Sequence, residues 1–182
     1  MGRIGKYGSN AVGLDCSTKS VAFCHMEKGV PVRWGEIHLN GASAFERIFD
    51  AKQKVSVLGI EADAVAIEAA IYVNNMKASI SLAYVYGAVL GELMKDNSGV
   101  IAVEPLKWQS HIRNKLWTKA QKSQLLVDNP GRAKTWYKQE VYRRRKQFTL
   151  DWVEAEYGIK LDSDNVGDAF GLARYLTDTY NG

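Results

Sequence analysis

At 182 residues, with 46% hydrophobic and 24% charged residues, the chain has the size and balance of one globular domain, able to bury about 70% of its unfolded surface. No stretch approaches the roughly 18 consecutive apolar residues of a membrane span. Met1-Gly2-Arg3-Ile4-Gly5-Lys6 is too short and polar for a secretory signal, so a cytoplasmic protein, of a bacterial cell or a phage-infected host, is expected.

The elements read as follows in chain order. Ala11–Asp15, Val21–Glu27 and Val30–Ile37 are rich in Val, Phe and Ile and are separated by turn residues, which predicts an antiparallel meander of three strands. Cys16 and Cys24 lie in or beside the first two runs; they make no disulfide framework and no zinc spacing, and read as buried thiols. Ser43 with Glu46 three residues on is a capping box, opening a helix on which Phe45, Ile48 and Phe49 share a face. Ala64–Glu68 is apolar without alternation, the mark of a strand buried on both faces. Lys77–Lys95 has Leu82, Val85, Tyr86, Val89, Leu90 and Leu93 at helical spacing, with Gly87 and Gly91 as a small-residue ridge. Val100–Val103 is a fifth strand, ended by Pro105. Residues 106–133 read as a loop or loosely ordered excursion. Thr135–Tyr157 is a long helix with Tyr137, Val141, Phe148 and Trp152 roughly on one face. Asn165–Tyr180 is the last helix, with Val166, Ala169, Phe170, Ala173 and Leu176 inward. The order predicts an α/β domain, a mixed five-stranded sheet flanked by helices, with no repeat and no second domain.

The net charge of +4 is unevenly spread: residues 105–146 hold 12 of the 24 Lys/Arg and only Asp128 and Glu140, leaving 12 basic and 18 acidic residues elsewhere. Such a segment reads as a polyanion-binding surface on a body that keeps its carboxylates, or as a solvated helix face. Lys107, Arg113, Lys115, Lys119 and Lys122, with Trp108 and Trp117 interleaved, suit phosphate contacts with occasional stacking. Arg143, Arg144, Arg145 and Lys146 run right round a helix and cannot all touch one ligand; two of them suit phosphate. His25, His38 and His111 are scattered and carry no assigned role.

Three acids stand apart from the surface. Asp15 ends the strand Ala-Val-Gly-Leu-Asp, Glu68 ends Ala-Val-Ala-Ile-Glu, and Asp168 sits one turn into the last helix between Gly167 and Ala169. Partly buried carboxylates are costly unless a cation or donor compensates. Parallel neighbouring strands put their C-terminal ends side by side, so Asp15 and Glu68 can converge with Asp168 brought over them. Oxygen ligands of this kind suit Mg²⁺, and two ions about 4 Å apart suit in-line phosphodiester displacement. Taken singly, each acid also reads as a helix cap or a solvated strand end.

In order and spacing these residues resemble the RuvC-type Holliday-junction resolvases of the RNase H-like superfamily. Gly13-Leu14-Asp15-Cys16-Ser17-Thr18-Lys19-Ser20 resembles their first acidic motif. Ile67-Glu68, Asn74-Asn75 and the helix with Tyr86-Gly87-Ala88 resemble the second. Pro105-Leu106-Lys107-Trp108 resembles their Pro-containing motif; Tyr137–Val141 and Val166–Ala173 resemble the closing ones. The resemblance implies an RNase H-like fold and a homodimeric endonuclease that nicks branched DNA, leaving 5′-phosphate ends. It implies Mg²⁺ as cofactor, with Mn²⁺ as substitute, and Asp15, Glu68 and Asp168 as catalytic metal ligands. A fourth ligand, commonly an acid, is implied three residues before Asp168; here that position is Asn165, with Asp164 beside it. Either Asp164 compensates for a natural departure, or Asn165 is an Asp-to-Asn replacement. Ile71 and Tyr72 match the place where resolvases insert an apolar wedge into the junction. Three other readings stand: an RNase H-like nuclease for other branched or single-stranded substrates, a non-cleaving junction binder, and an actin-like ATP-binding domain. The last is disfavoured by the chain's length and by the lack of a second Gly-rich phosphate loop.

Overall fold

The computed structural model describes residues 10–69 and 76–180, the side chains of 95–98 and 180 excepted. Five strands form one mixed sheet in the order β3-β2-β1-β4-β5. β1 (Asn10–Cys16), β2 (Ser20–Glu27) and β3 (Val30–His38) are the expected antiparallel meander, while β4 (Ala62–Glu68) pairs parallel with β1 and β5 (Met94–Val103) parallel with β4. Helices cover both faces: α1 (Ala44–Ser56) and α2 (Met76–Leu93) on one, α3 (Pro105–His111), α5 (Lys134–Tyr157) and α6 (Asp164–Tyr180) on the other, with α4 (Lys119–Asp128) beside α5.

The two sheet faces differ in side-chain size, because alternate residues of a strand point to opposite sides. Val12, Leu14, Val21, Phe23 and Val65 fill the face under α1 and α2. On the other side Ala11, Ala22, Ala64 and Ala66 are small and buried. Between them, a Cβ on Gly13 would run into the carbonyl oxygen of Ala169 and the amide of Ala173. The last helix therefore rests directly on the main chain of β1, with Val166, Ala169, Phe170, Ala173 and Leu176 buried as their spacing predicts.

Four local readings are corrected. α1 has its capping box, but its core face is Ala51 and Val55. Phe45 and Phe49 are exposed, Phe45 stacking on Tyr84 of α2 with ring centroids 6.3 Å apart at the outer side of the α1–α2 seam. Second, β5 begins at Met94, immediately after α2: Met94 pairs with Ala62, the register then shifts, and the ladder resumes at Ala64↔Gly99 and runs to Glu68↔Val103. Third, residues 106–133 hold two helices. Pro105 opens α3 at a position that needs no N–H; Thr118 and Gln121 form a full capping box on α4. Buried Trp108 and Leu125 anchor them. Fourth, α5 turns Thr149 and Val153 inward and leaves Phe148 exposed. Asn114 Nδ2 donates to Thr149 Oγ1 at 3.0 Å and to the Arg145 carbonyl at 2.9 Å; this polar contact sets the helix's rotation, which apolar periodicity does not register.

Candidate active site

Register brings the first two acids together. In the parallel pair, Leu14 lies opposite Ile67, so Asp15 and Glu68 are the next residues on adjacent strands. Each is two places on from a small residue, Gly13 or Ala66, and so shares the face on which α6 rests. The same seating of α6 places Asp168, which is buried, against them.

Their electrostatics show how closely they are grouped. Burial, then the charge of Asp168, push the Asp15 carboxyl up to about 7; Glu68 and Asp164 add to the rise and Lys146 opposes it. Burial pushes Asp168 up to about 6, with Lys146 pulling the other way and Glu68 and Asp164 adding to the rise. Lys146, from α5, is the cation at the centre: its Nζ donates to Asp168 Oδ2 at 2.5 Å and lies 3.4 Å from Asp164 Oδ2. Burial opposes its charged form, but the charge and hydrogen bond of Asp168 outweigh that, and the ammonium titrates above the usual lysine range. Tyr86 of α2 closes the side towards Cys16; burial, with the charges of Cys16, Asp15 and Glu68, pushes its phenol up.

Asn165 is turned elsewhere. Its Nδ2 donates to Glu36 Oε1 at 2.9 Å, and Ser163 Oγ donates to Glu36 Oε2 at 2.5 Å. Glu36 shares Asp15's face two strands away, through Asp15↔Ala22 and Ala22↔Glu36. Burial would raise its carboxyl, but hydrogen bonds from Ser163, Asn165 and Ser20 outweigh this and hold it below the usual range. Since only the amide NH₂ can donate to a carboxylate, the orientation of Asn165 is fixed by Glu36.

The donor chemistry fits a hard divalent ion: Asp15, Glu68, Asp164 and Asp168 offer oxygen only, balanced by one ammonium. In the arrangement described, no three His, Cys, Asp or Glu side chains converge at ligating geometry among the described residues. The Lys146 ammonium holds the place between Asp164 and Asp168.

No family model and no curated protein matches the sequence. Among solved structures, the chain is similar to T. thermophilus RuvC in complex with Holliday junction substrate, with a TM-score of 0.65 and 13% identity over 94% of this chain and 97% of that one. The fold is RuvC-like. A Thermus thermophilus RuvC structure aligns with a TM-score of 0.58 and 16% identity, over 91% of this chain and 92% of that one. At these identities the likeness is one of backbone path.

On this RuvC-like frame the basic segment divides. Arg113, Lys115, Lys119 and Lys122 are exposed, and their side chains meet no acid among the described residues. Lys107 is exposed and lies 3.5 Å from Glu104. Arg143 and Arg144 both bind Glu140, at 2.8 and 2.7 Å, and their hydrogen bonds pull its carboxyl down to about 2. Arg144 also lies over the Trp117 ring, 5.5 Å from its centroid. Arg145 turns inward to Gln109 and Asn114. The run thus serves three destinations, as its spacing round the helix requires. Trp108 is corrected: fully buried, it has no face for a base to stack on. Ile71 and Tyr72, with Asn74 and Asn75, lie outside the described residues.

Three residues of the site carry no role assigned from sequence. Lys146 reads only as part of a basic run, although a lysine on a half-buried turn of helix is a signal in itself. Glu36 is one acid of a half-exposed strand, and Tyr86 reads as an apolar position on α2 and as part of the Tyr86-Gly87-Ala88 motif.

Proposed function

We propose that this chain is a metal-dependent endodeoxyribonuclease, one nuclease domain that nicks Holliday junctions or related branched DNA symmetrically as a homodimer. The reading rests above all on one observation: Asp15 and Glu68 end adjacent parallel strands under Asp168, in a sheet whose path follows RuvC. The likeness to T. thermophilus RuvC, bound in its structure to a Holliday junction substrate, supports branched DNA as the ligand.

Asp15, Glu68 and Asp168 would hold Mg²⁺ or Mn²⁺, two ions in this reading, with Asp164 as the further oxygen donor in place of Asn165. When bound, such ions supply a water of lowered pKa and neutralise phosphate charge. The protein's own part is electrostatic. Asp15 and Asp168, whose protonated forms burial favours, would ionise where a bound cation offsets that burial. With cations held there, the Lys146 ammonium, now between Asp164 and Asp168, would be free to pair with a phosphate. Lys107, Arg113, Lys115, Lys119 and Lys122 bind the flanking backbone, with Arg143 and Arg144 available only where phosphate outcompetes Glu140.

A two-fold dimer would give the two matching sites that symmetric nicking needs. The apolar face of α2 from Leu82 to Leu93 is spent on the core, where Val85, Val89 and Leu93 are buried. The open side of α2 carries Ile80, Tyr84, Gly87 and Gly91, flanked by Phe45 and Phe49 of α1, and this uncharged stripe is the better candidate for the dimer contact.

A non-cleaving junction binder is the second reading, favoured by the ammonium among the acids and by the engagement of Asn165 with Glu36. Incubating a labelled four-way junction with the protein, with and without Mg²⁺, tests both. Paired nicks that need Mg²⁺ and vanish in Asp15→Asn support the nuclease. Tight binding without nicks at any Mg²⁺ or Mn²⁺ level supports the binder.

A further inference from the structure

Glu68 differs from the other acids in having an aromatic donor as its partner. Trp108 Nε1 donates to Glu68 Oε1 at 3.2 Å, while Oε2 receives no hydrogen bond among the described residues. The register explains how the indole reaches it. Val103, last residue of β5, lies opposite Glu68, and the amide of Ala69 bonds back to the Val103 carbonyl at 2.8 Å. α3 starts two residues later at Pro105 and carries Trp108 back over the end of β4.

The ring itself is held from the far side. A Cβ on Gly171 would lie 2.5 Å from Trp108 Cε3 and Cζ3, so the indole fits only because residue 171 has no side chain. Gly171 is three residues after Asp168, on the same side of α6. One buried ring therefore touches the helix that carries Asp168 and hydrogen-bonds the strand-end acid Glu68. An indole N–H donates and cannot accept, so it takes up one acceptor oxygen of the carboxylate and fixes which oxygen is turned away.

We propose that Trp108 is the positioning residue of the acidic site: it ties down Glu68 Oε1, leaves Oε2 as the oxygen offered to a cation, and spaces Glu68 from Asp168 through Gly171. This rests on the reading of Glu68 as a cation ligand. Groups that orient a metal-binding side chain in this way typically change metal affinity 10–100-fold when removed.

The test uses the full chain with ¹⁵N-labelled tryptophan, whose five residues give five indole N–H signals, titrated with Mn²⁺. One signal should broaden ahead of the rest, be absent in Trp108→Phe and move upfield in Glu68→Gln. Mn²⁺ affinity, read from the free ion by electron paramagnetic resonance, should fall about tenfold in Trp108→Phe. In a Glu68→Gln background the same change should add nothing, a non-additivity that loss of packing alone would not produce. If Trp108→Phe does not fold, the indole shift in Glu68→Gln decides instead. Should the parent bind Mn²⁺ while Trp108→Phe matches it, or the indole signals ignore Glu68→Gln, the proposal is overturned and the acidic site stands. A parent that binds no Mn²⁺ overturns the ligand reading and this proposal with it.

Discussion

Lys146 and Asp168 are joined across two helices, Nζ to Oδ2 at 2.5 Å, with little of either side chain exposed. This pair makes the acidic cluster tolerable in the absence of a divalent cation. Removing one partner of a buried pair strands the other. Lys146→Met should therefore destabilise the cation-free protein at pH 8 by about 3 kcal/mol, and millimolar Mg²⁺ should restore part of the loss by binding only the folded state. Thermal melts with and without Mg²⁺ check this; an unchanged midpoint would show that the pair contributes nothing.

The raised carboxyls make stability depend on pH in a particular direction. Asp15 titrates near 7 and Asp168 near 6 in the folded chain, against an ordinary value of 3.8. From about pH 4 to 7 the folded state holds protons that the unfolded state has released, so stability of the cation-free protein falls as pH rises through that window. Asp15→Asn removes one such penalty. It should stabilise the fold at pH 8 by on the order of 2–4 kcal/mol, do little at pH 4, and abolish cleavage while leaving junction binding nearly intact. Urea denaturation across this pH range, paired with a cleavage assay, would expose a wrong sign at once.

Asn165 invites replacement by Asp to complete an acidic set, and the structure argues against a simple gain. The new carboxylate would lose the hydrogen bond to Glu36 and face its charge instead. Asn165→Asp alone should cost about 1–2 kcal/mol and leave cleavage at low Mg²⁺ no faster. Adding Glu36→Gln should recover the stability, because the amide there can donate to the new acid. A faster single variant, or a double variant no more stable than the single, would mean that Glu36 does not govern this position.

For DNA, the exposed lysines should dominate the salt dependence. Neutralising Lys107, Lys115 and Lys119 together should flatten the slope of log affinity against log salt by roughly two to three units. Arg143→Gln with Arg144→Gln should change it by less than about one unit, because Glu140 already neutralises part of their charge. Filter binding to a four-way junction over a salt series distinguishes the two groups. Equal effects would show that Glu140 yields its arginines to phosphate.

The parts of this architecture that local chemistry dictates were legible beforehand. The meander followed from apolar runs between turn residues, the start of α1 from Ser43 and Glu46, and the pairing of Asp15 with Glu68 from parallel strand ends. What stayed hidden depends on contacts between distant segments. Thr118 and Gln121 did carry a capping signal, but it lay within a polar, basic stretch whose anchors, Trp108 and Leu125, are single residues. The turn of α5 that buries Thr149 and delivers Lys146 to Asp168 is decided by Asn114, 35 residues away from Thr149. The bond between Asn165 and Glu36 spans 129 positions. No periodicity or local propensity contains such pairings.

The seating of α6 on β1 has a mechanical consequence. Where side chains separate a helix from a sheet, rotamer changes give the interface some travel. At Gly13 the Ala169 carbonyl meets bare main chain, and main-chain atoms have no rotamers to adjust. The clearance between the strand carrying Asp15 and the helix carrying Asp168 is thus a fixed backbone dimension. Side-chain repacking elsewhere in the core therefore leaves the main chains that carry the two acids at the same spacing.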